Sequence, residues 1–244
     1  MPKIYDPQIH EELDDLPDFQ EENDLEKAKV AFHEHDGFLE HPVAVKDHNA
    51  FFTSSTSLSS IRDSTPELDV ALTALSKHGK PFLVGGTVRD VLLQKTPKDF
   101  DIEVYGISEK DLSKIVVGLG GKDKQTGKNF AVFKVGSNID ISLPRKEKVT
   151  GVKHTDFEVE SDPFLDKEKA ARRRDFTINS LMYSVEDDTI LDFFGGQEDL
   201  KNKIIKHVDE KTFVEDPLRV YRAAQFAARF GFSIDPKTIE LARN

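Results

Sequence analysis

Near Thr65 the apolar positions begin to recur at intervals of three and four. In PELDVALTALSKHG, Leu68, Ala71, Leu72 and Leu75 predict a helix that buries one stripe, with Ser64 or Thr65 as its N-cap and His78-Gly79 as its stop. The pattern then shortens. Phe82-Leu83-Val84 is an apolar strand, Gly85-Gly86 a turn, and 87–93 a helix with Val88, Val91 and Leu92 facing inward. DFDIEVYG alternates apolar and polar residues, the period of a strand with one wet face, so Asp99, Asp101 and Glu103 project from the same side. Residues 130–135 and 139–143 read as two further strands, a hairpin across Gly136-Ser137-Asn138. The polar stretch 144–166 is long enough for a mobile loop or lid. Helices are then expected over 165–174, over 176–183 and after Asp216-Pro217, with a short strand in TILDFFGG (189–196) between them. No internal repeat is visible.

Residues 1–64 lack a sustained period, include the polar run TSSTSLSS and read as an extension or linker. Charge sets them apart as well. The chain of 244 residues carries a net charge of -11, which looks wrong for an enzyme that meets nucleic acid. Yet 14 of the 45 acids and only 4 of the 34 bases fall in the first 50 residues, which leaves 31 acids and 30 bases beyond them. On that nearly neutral body, Lys122, Lys124 and Lys128, or Arg172 to Arg174, can form local positive patches. Cysteine is absent, which excludes disulfides, thiolate metal sites and cysteine nucleophiles. No apolar run reaches the length of a membrane span and the acidic N-terminus is unlike a signal peptide, so a cytoplasmic setting is expected.

Two acids one residue apart on a strand point the same way and can share a divalent cation, and hard oxygen ligands favour magnesium or manganese. Alone, Asp99 and Asp101 would read equally as a solvated strand face. Upstream of them, Gly85-Gly86 lies between a strand and a helix, where backbone N–H groups can approach a phosphate chain, and Arg89 one turn on can reach the same anion. Together these features describe a triphosphate held with its metal ions.

LVGGTVRDVLLQKTPKDFDIEVYG closely resembles the signature of the class II tRNA nucleotidyltransferase and bacterial poly(A) polymerase family. The resemblance carries the family's Gly-Gly, Arg, Asp and Asp-x-Asp onto Gly85, Gly86, Arg89, Asp90, Asp99 and Asp101. It implies that Asp99 and Asp101 hold two magnesium ions, activating an RNA 3′-hydroxyl and stabilising the leaving pyrophosphate. RRDFTINSL (173–181) resembles the second motif, with Arg173, Arg174, Asp175 and Asn179 around the sugar and phosphates, although Asp175 could equally cap a helix. GGQEDLKNKIIKHV (195–208) resembles the third, whose glycines and Asp199 are read as structural. EDPLRVYR (215–222) resembles the motif that reads the base. There Asp216 and Arg219 would meet the pairing edge of cytosine or adenine, and Arg222 the base or triphosphate, the three stacking at intervals of three on one helix face. Where many relatives have a further arginine, Gln225 stands.

The expected fold is mixed α/β: a polymerase-β-type nucleotidyltransferase head over 65–211 with a small mixed sheet and helices on one face, then the start of a helical neck over 212–244. Because the chain stops at Asn244, where relatives continue into more helices, it is expected to be a fragment or an unusually short member. The implied activity is template-independent addition of CMP and AMP, from CTP and ATP, to the 3′ end of tRNA. A poly(A) polymerase, a CC-only or A-only enzyme, and an inactive RNA-binding module are the rival readings. Asp140 on an adjacent strand is either a third carboxylate or a strand-edge charge. His33, His35 and His41 fall in the acidic extension, the His35-Asp36 pair lacks partner ligands at metal spacing and is read as surface, and no oligomeric state follows from the sequence.

Overall fold

The computed structural model describes residues 58–125, 131–149 and 157–243. Helix α1 (Leu58–Ser64) leads into α2 (Pro66–Ser76), whose proline occupies the first turn, where a missing N–H costs nothing. The stripe Leu68, Ala71, Leu72 and Leu75 is fully buried, as its spacing requires. Thr65 stands at the N-cap without a side-chain capping bond. The helix α1 was not foreseen. It falls in the stretch read as an extension, yet Leu58 and Ile61 are buried in the main core, because two apolar residues three apart give too short a period to recognise.

Among the described residues, seven strands form one sheet in the order β3-β4-β5-β2-β1-β8-β9. In chain order these are β1 (Lys80–Val84), β2 (Phe100–Tyr105), β3 (Lys122–Gln125), β4 (Ala131–Val135), β5 (Ile139–Ser142), β8 (Met182–Ser184) and β9 (Thr189–Leu191). The β2–β5 pairing is parallel and the others antiparallel, so the sheet is mixed as expected. The hairpin β4–β5 turns at Gly136, with Val135 opposite Ile139. Phe130, Lys128 and the histidines His33, His35 and His41 lie outside the described residues.

Leu83, Phe100, Ile102, Val104 and Ile141 bury one sheet face in a core shared with α2, α3 (Gly86–Leu92) and α4 (Glu109–Gly118). The other face is not simply wet, and helices are not confined to one side. Phe82, Val84, Tyr105 and Met182 pack there under Ala170 and Ala171 of α5 (Lys167–Arg172), which Asp166 caps by accepting the Lys169 N–H.

Two expectations are corrected. Much of the polar stretch 144–166 is an antiparallel ribbon of β6 (Arg145–Val149) and β7 (Phe157–Ser161). The two strands are short and set in a mostly polar stretch, and their register sets Lys146 opposite Glu160. The helix expected over 176–183 is instead a 3₁₀ turn, Thr177–Asn179, followed by β8. Leu181, Met182 and Tyr183 are all buried and β8 pairs with β1, so tertiary pairing outweighs local preference.

Asp192 accepts the N–H groups of Gly196 and Gln197 and so starts α6 (Gly196–Asn202). Gly196 is required there, since a Cβ would lie 2.2 Å from the Thr177 carbonyl oxygen. The chain then passes through β10 (Ile204–Ile205), α7 (Glu210–Glu215), α8 (Leu218–Phe230), β11 (Ser233–Ile234) and α9 (Pro236–Arg243). Thr212, the expected start of the neck, falls inside α7.

Candidate active site

Residue Gly85 turns the chain from β1 into α3 at φ 63°, ψ -130°, a conformation that glycine alone adopts without strain. The place where its Cβ would stand is 3.1 Å from Arg174 Nη1 and 3.8 Å from Asp101 Oδ2. Turn, arginine and carboxylate therefore share one small space. Thr87 Oγ1 reinforces this by donating to the Asp99 carbonyl at 3.4 Å and accepting the Asp101 N–H at 3.0 Å, tying α3 to β2.

Across the sheet, Asp101 is opposite Asp140 and Asp140 is opposite Lys134, a row of three side chains on one face. Lys134 Nζ lies 2.8 Å from Asp140 Oδ1. Asp101 is solvent-accessible at the cleft but crowded by protein elsewhere, and that loss of hydration pushes its carboxyl up. Asp140 and Asp99 add to the rise, while Arg174 and Lys134 oppose it. Asp99 lies just before β2 and is exposed.

Glu103, expected on the wet face, is 2 % exposed. It accepts from Tyr105 Oη at 2.6 Å and lies 3.4 Å from Arg173 and 3.7 Å from Arg174. Burial alone would raise its carboxyl, but the two arginines and the tyrosine outweigh it and hold the group below the usual carboxylate range. Glu103 thus anchors the arginines from beneath.

Arg89 does not reach the cleft as expected. Its guanidinium is buried, bonded to Asp90 at 2.7 Å and to Asn179 Oδ1 at 2.7 Å, and lies over the rings of Phe226 and Phe230. Asn179 donates onward to Asp175, which also accepts from Phe176 N–H and from Arg222 at 2.7 Å. Buried Arg89, Asn179 and Asp175, with the exposed Arg222 at the surface end, form one network that bolts α3 and the 3₁₀ turn to α8.

Asp216 precedes α8 and accepts the Leu218 N–H, so it does not stack on the helix face with Arg219 and Arg222. Arg219 Nη2 donates to the Arg173 carbonyl at 2.8 Å, while its Nη1 is buried with no hydrogen-bond partner. Gln225 is half-buried on the same helix. Asp199 accepts from Thr177 Oγ1, the structural role expected of it.

The positioning roles of Thr87, Glu103 and Lys134 were missed. Glu103 was visible in the alternation and Lys134 in the hairpin register, whereas the Thr87 bridge needs both elements in place. Among the described residues no group of three or more His, Cys, Asp or Glu could hold a metal ion by itself. Two carboxylates from the chain, with triphosphate oxygens and water completing the shell, nevertheless fit magnesium's habits.

The family model described as the poly(A) polymerase head domain matches residues 81–206. The chain is 39% identical over 170 residues to the Multifunctional CCA protein of Xylella fastidiosa (strain 9a5c), covering 67% of this chain and 39% of that protein. It is 40% identical over 161 residues to the namesake from Nitrosococcus oceani, covering 66% and 38%. The chain therefore spans about two fifths of these relatives. A CCA-adding enzyme in its apo form II aligns at a TM-score of 0.63 and 28% identity, over 77% of this chain and 46% of that one. A Bacillus stearothermophilus CCA-adding enzyme in complex with CTP aligns at 0.57 and 30%, over 72% and 42%. A tRNA nucleotidyltransferase complexed with a primer tRNA and an incoming ATP analog aligns at 0.56 and 31%, over 71% and 48%. With the head-domain match spanning just over half of its residues, and Gly-Gly, Asp-x-Asp and Arg-Arg-Asp gathered at one end of the sheet, the chain belongs to the poly(A) polymerase head-domain family of nucleotidyltransferases.

Proposed function

We propose that this protein adds CMP and AMP to the 3′ end of tRNA without a nucleic-acid template. The observation that carries the reading is the shared space of the Gly85 turn, Arg174 Nη1 and Asp101 Oδ2. A triphosphate entering there meets backbone N–H groups of a turn that has no Cβ, a guanidinium held by Glu103, and carboxylates beside it. Asp99 and Asp101 would hold magnesium, which when bound neutralises the triphosphate and favours the ionised RNA 3′-hydroxyl.

The 3′-oxygen then attacks the α-phosphorus in line, its proton passes to solvent, and the bond to the pyrophosphate oxygen breaks. Arg174 stabilises charge on the phosphates, while Arg173, held by Glu103, supports it from one side. Arg89, Asp175 and Asn179 fix the arrangement rather than touch the nucleotide. Asp216 and Arg219 would choose the base, and Arg222 would contact the triphosphate or the base. The unpartnered Arg219 Nη1 supports this, since a buried donor without an acceptor is costly and a cytosine or adenine edge supplies one. A cytoplasmic location accords with a tRNA substrate. Among the described residues no helix is long and apolar enough to cross a membrane.

Incubating the chain with tRNA lacking its CCA, with CTP and ATP separately and together, tests the reading. Ordered addition of C, C and A supports it, and long adenylate tails from ATP alone would favour the poly(A) polymerase reading that the head-domain match also suits. Asp101→Ala should lower incorporation by roughly 10³-fold, corresponding to several kcal/mol of lost charge stabilisation. Incorporation unaffected by Asp99→Ala and Asp101→Ala alike would leave only a binding module.

A further inference from the structure

At the other end of β2 from Asp101, an open groove of about 920 Å³ lies across the end of the sheet, where α2 from one face, β1, and the turn before α5 on the Asp101 face meet. Its chemistry comes from Arg62, Lys77, His78, Lys80, Phe164 and Lys167. Arg62 pairs with Asp69 and Lys80 with Glu186, whereas Lys77 and Lys167 have no acidic partner among the described residues. Lys167 Nζ stands 5.4 Å from the Phe82 ring centre and 5.2 Å from that of Tyr105.

Phe164 is 83% exposed, the most exposed large apolar residue described. Its turn is nevertheless pinned. Asp162 Oδ1 accepts the Phe164 N–H, the Leu165 N–H bonds to the Asp162 carbonyl, and the Gly106 N–H bonds to the Pro163 carbonyl. Asp162 also pairs with Lys146 at 2.6 Å. An exposed aromatic carried on a hydrogen-bonded turn beside uncompensated cations suits a strand of nucleic acid, whose bases stack and whose phosphates pair with lysine.

The groove lies in line with the cleft. Asp101, Glu103 and Tyr105 follow one another on one face of β2, which puts the groove roughly 13 Å from Asp101 at a strand's rise per residue. α5 bridges the gap, with Lys167 at its start, Lys169 within it and Arg173 and Arg174 just past its end. Basic groups interspersed with the acids Asp166 and Glu168 therefore lie between the cleft and Phe164.

We infer that this groove binds the RNA strand just upstream of the reacting 3′ end, Phe164 stacking on a base and Lys77 and Lys167 neutralising phosphates. This rests on the reading that the substrate is RNA. The test measures binding of a labelled single-stranded oligoribonucleotide, and separately of CTP, to the full chain across salt concentrations. Phe164→Ala should weaken oligoribonucleotide binding about tenfold. Lys77→Ala combined with Lys167→Met, which keeps the stem over the rings, should lower the salt slope by about 1.4. CTP binding should be unchanged in both. Oligoribonucleotide affinity and salt slope that match the unaltered chain would overturn the proposal, as would an equal loss of CTP binding or a change confined to self-association. Groove variants that lose oligoribonucleotide binding in a chain that incorporates no nucleotide would uphold the groove and sink the catalytic reading instead.

Discussion

Gly85 and Glu103 do different work on the same guanidinium, that of Arg174. At Gly85 a side chain is strained by the backbone and crowds Arg174, so Gly85→Ala should cost about 1–3 kcal/mol of stability. Triphosphate affinity should fall further than stability does, which urea unfolding beside a CTP titration would show. Glu103 is the buried acid beneath Arg173 and Arg174. Glu103→Ala leaves two cations without it and should cost about 3–5 kcal/mol in the same unfolding measurement. Glu103→Gln keeps the shape and should raise the KM for CTP more than it lowers kcat, because it loosens Arg174 without touching Asp101. Equal effects on both constants would make Glu103 a stability residue alone. Its position was legible from the alternation of DFDIEVYG, but its burial was not, since the arginine that bonds it at the end of α5 stands 70 residues further along the chain.

Among the elements, those with a long clear period were legible: α2, β1, β2, the β4–β5 hairpin and α8 stand close to where their patterns put them. Those that differ share a cause. The β6–β7 ribbon is made of two five-residue strands in a mostly polar stretch, β8 is buried on both sides and so shows no alternation, and α1 has only two anchoring residues. A chain beginning at Thr65 loses the burial of Leu58 and Ile61 and should be less stable than one beginning at residue 57 by roughly 3–6 kcal/mol, an upper figure because an unfolded chain hides some apolar surface. Matching urea midpoints for the two would show that α1 adds nothing to the core.

For the whole molecule, charge is arranged rather than merely counted. The acidic first 50 residues account for nearly all of the net charge, and the remainder sets cations against acids at the cleft and along α5. Its internal acids set the response to pH. Burial would raise Asp175, but Arg222, Asn179 and the Phe176 N–H hold it below the usual range, as the arginines and Tyr105 do Glu103. A carboxyl depressed in the folded state contributes stability that is complete above its ordinary value near ~4 and is lost as pH falls through the folded value. Asp101 and Asp199, pushed up chiefly by burial, work in the opposite direction. Urea midpoints should therefore change little above about pH 5 and decline below about pH 4. Asp175→Asn should be less stable at neutral pH and decline less steeply in acid. An unaltered acid slope would mean that the Asp175 network is not what titrates.

The order of motifs, Gly-Gly, then Asp-x-Asp, then Arg-Arg-Asp, then Glu-Asp-x-x-Arg, together with the strand period around Asp101, was enough to determine the family and the mixed α/β class, because these are local facts of spacing. Only the tertiary structure decided which of those residues face the cleft. Arg89, Asp175 and Asn179 turned inward to satisfy one another, since a buried charge must find a partner wherever the chain brings one within reach. Arg174 and Asp101 met at Gly85 because α5, β2 and the β1 turn converge there from distant parts of the sequence, and no periodicity records that meeting.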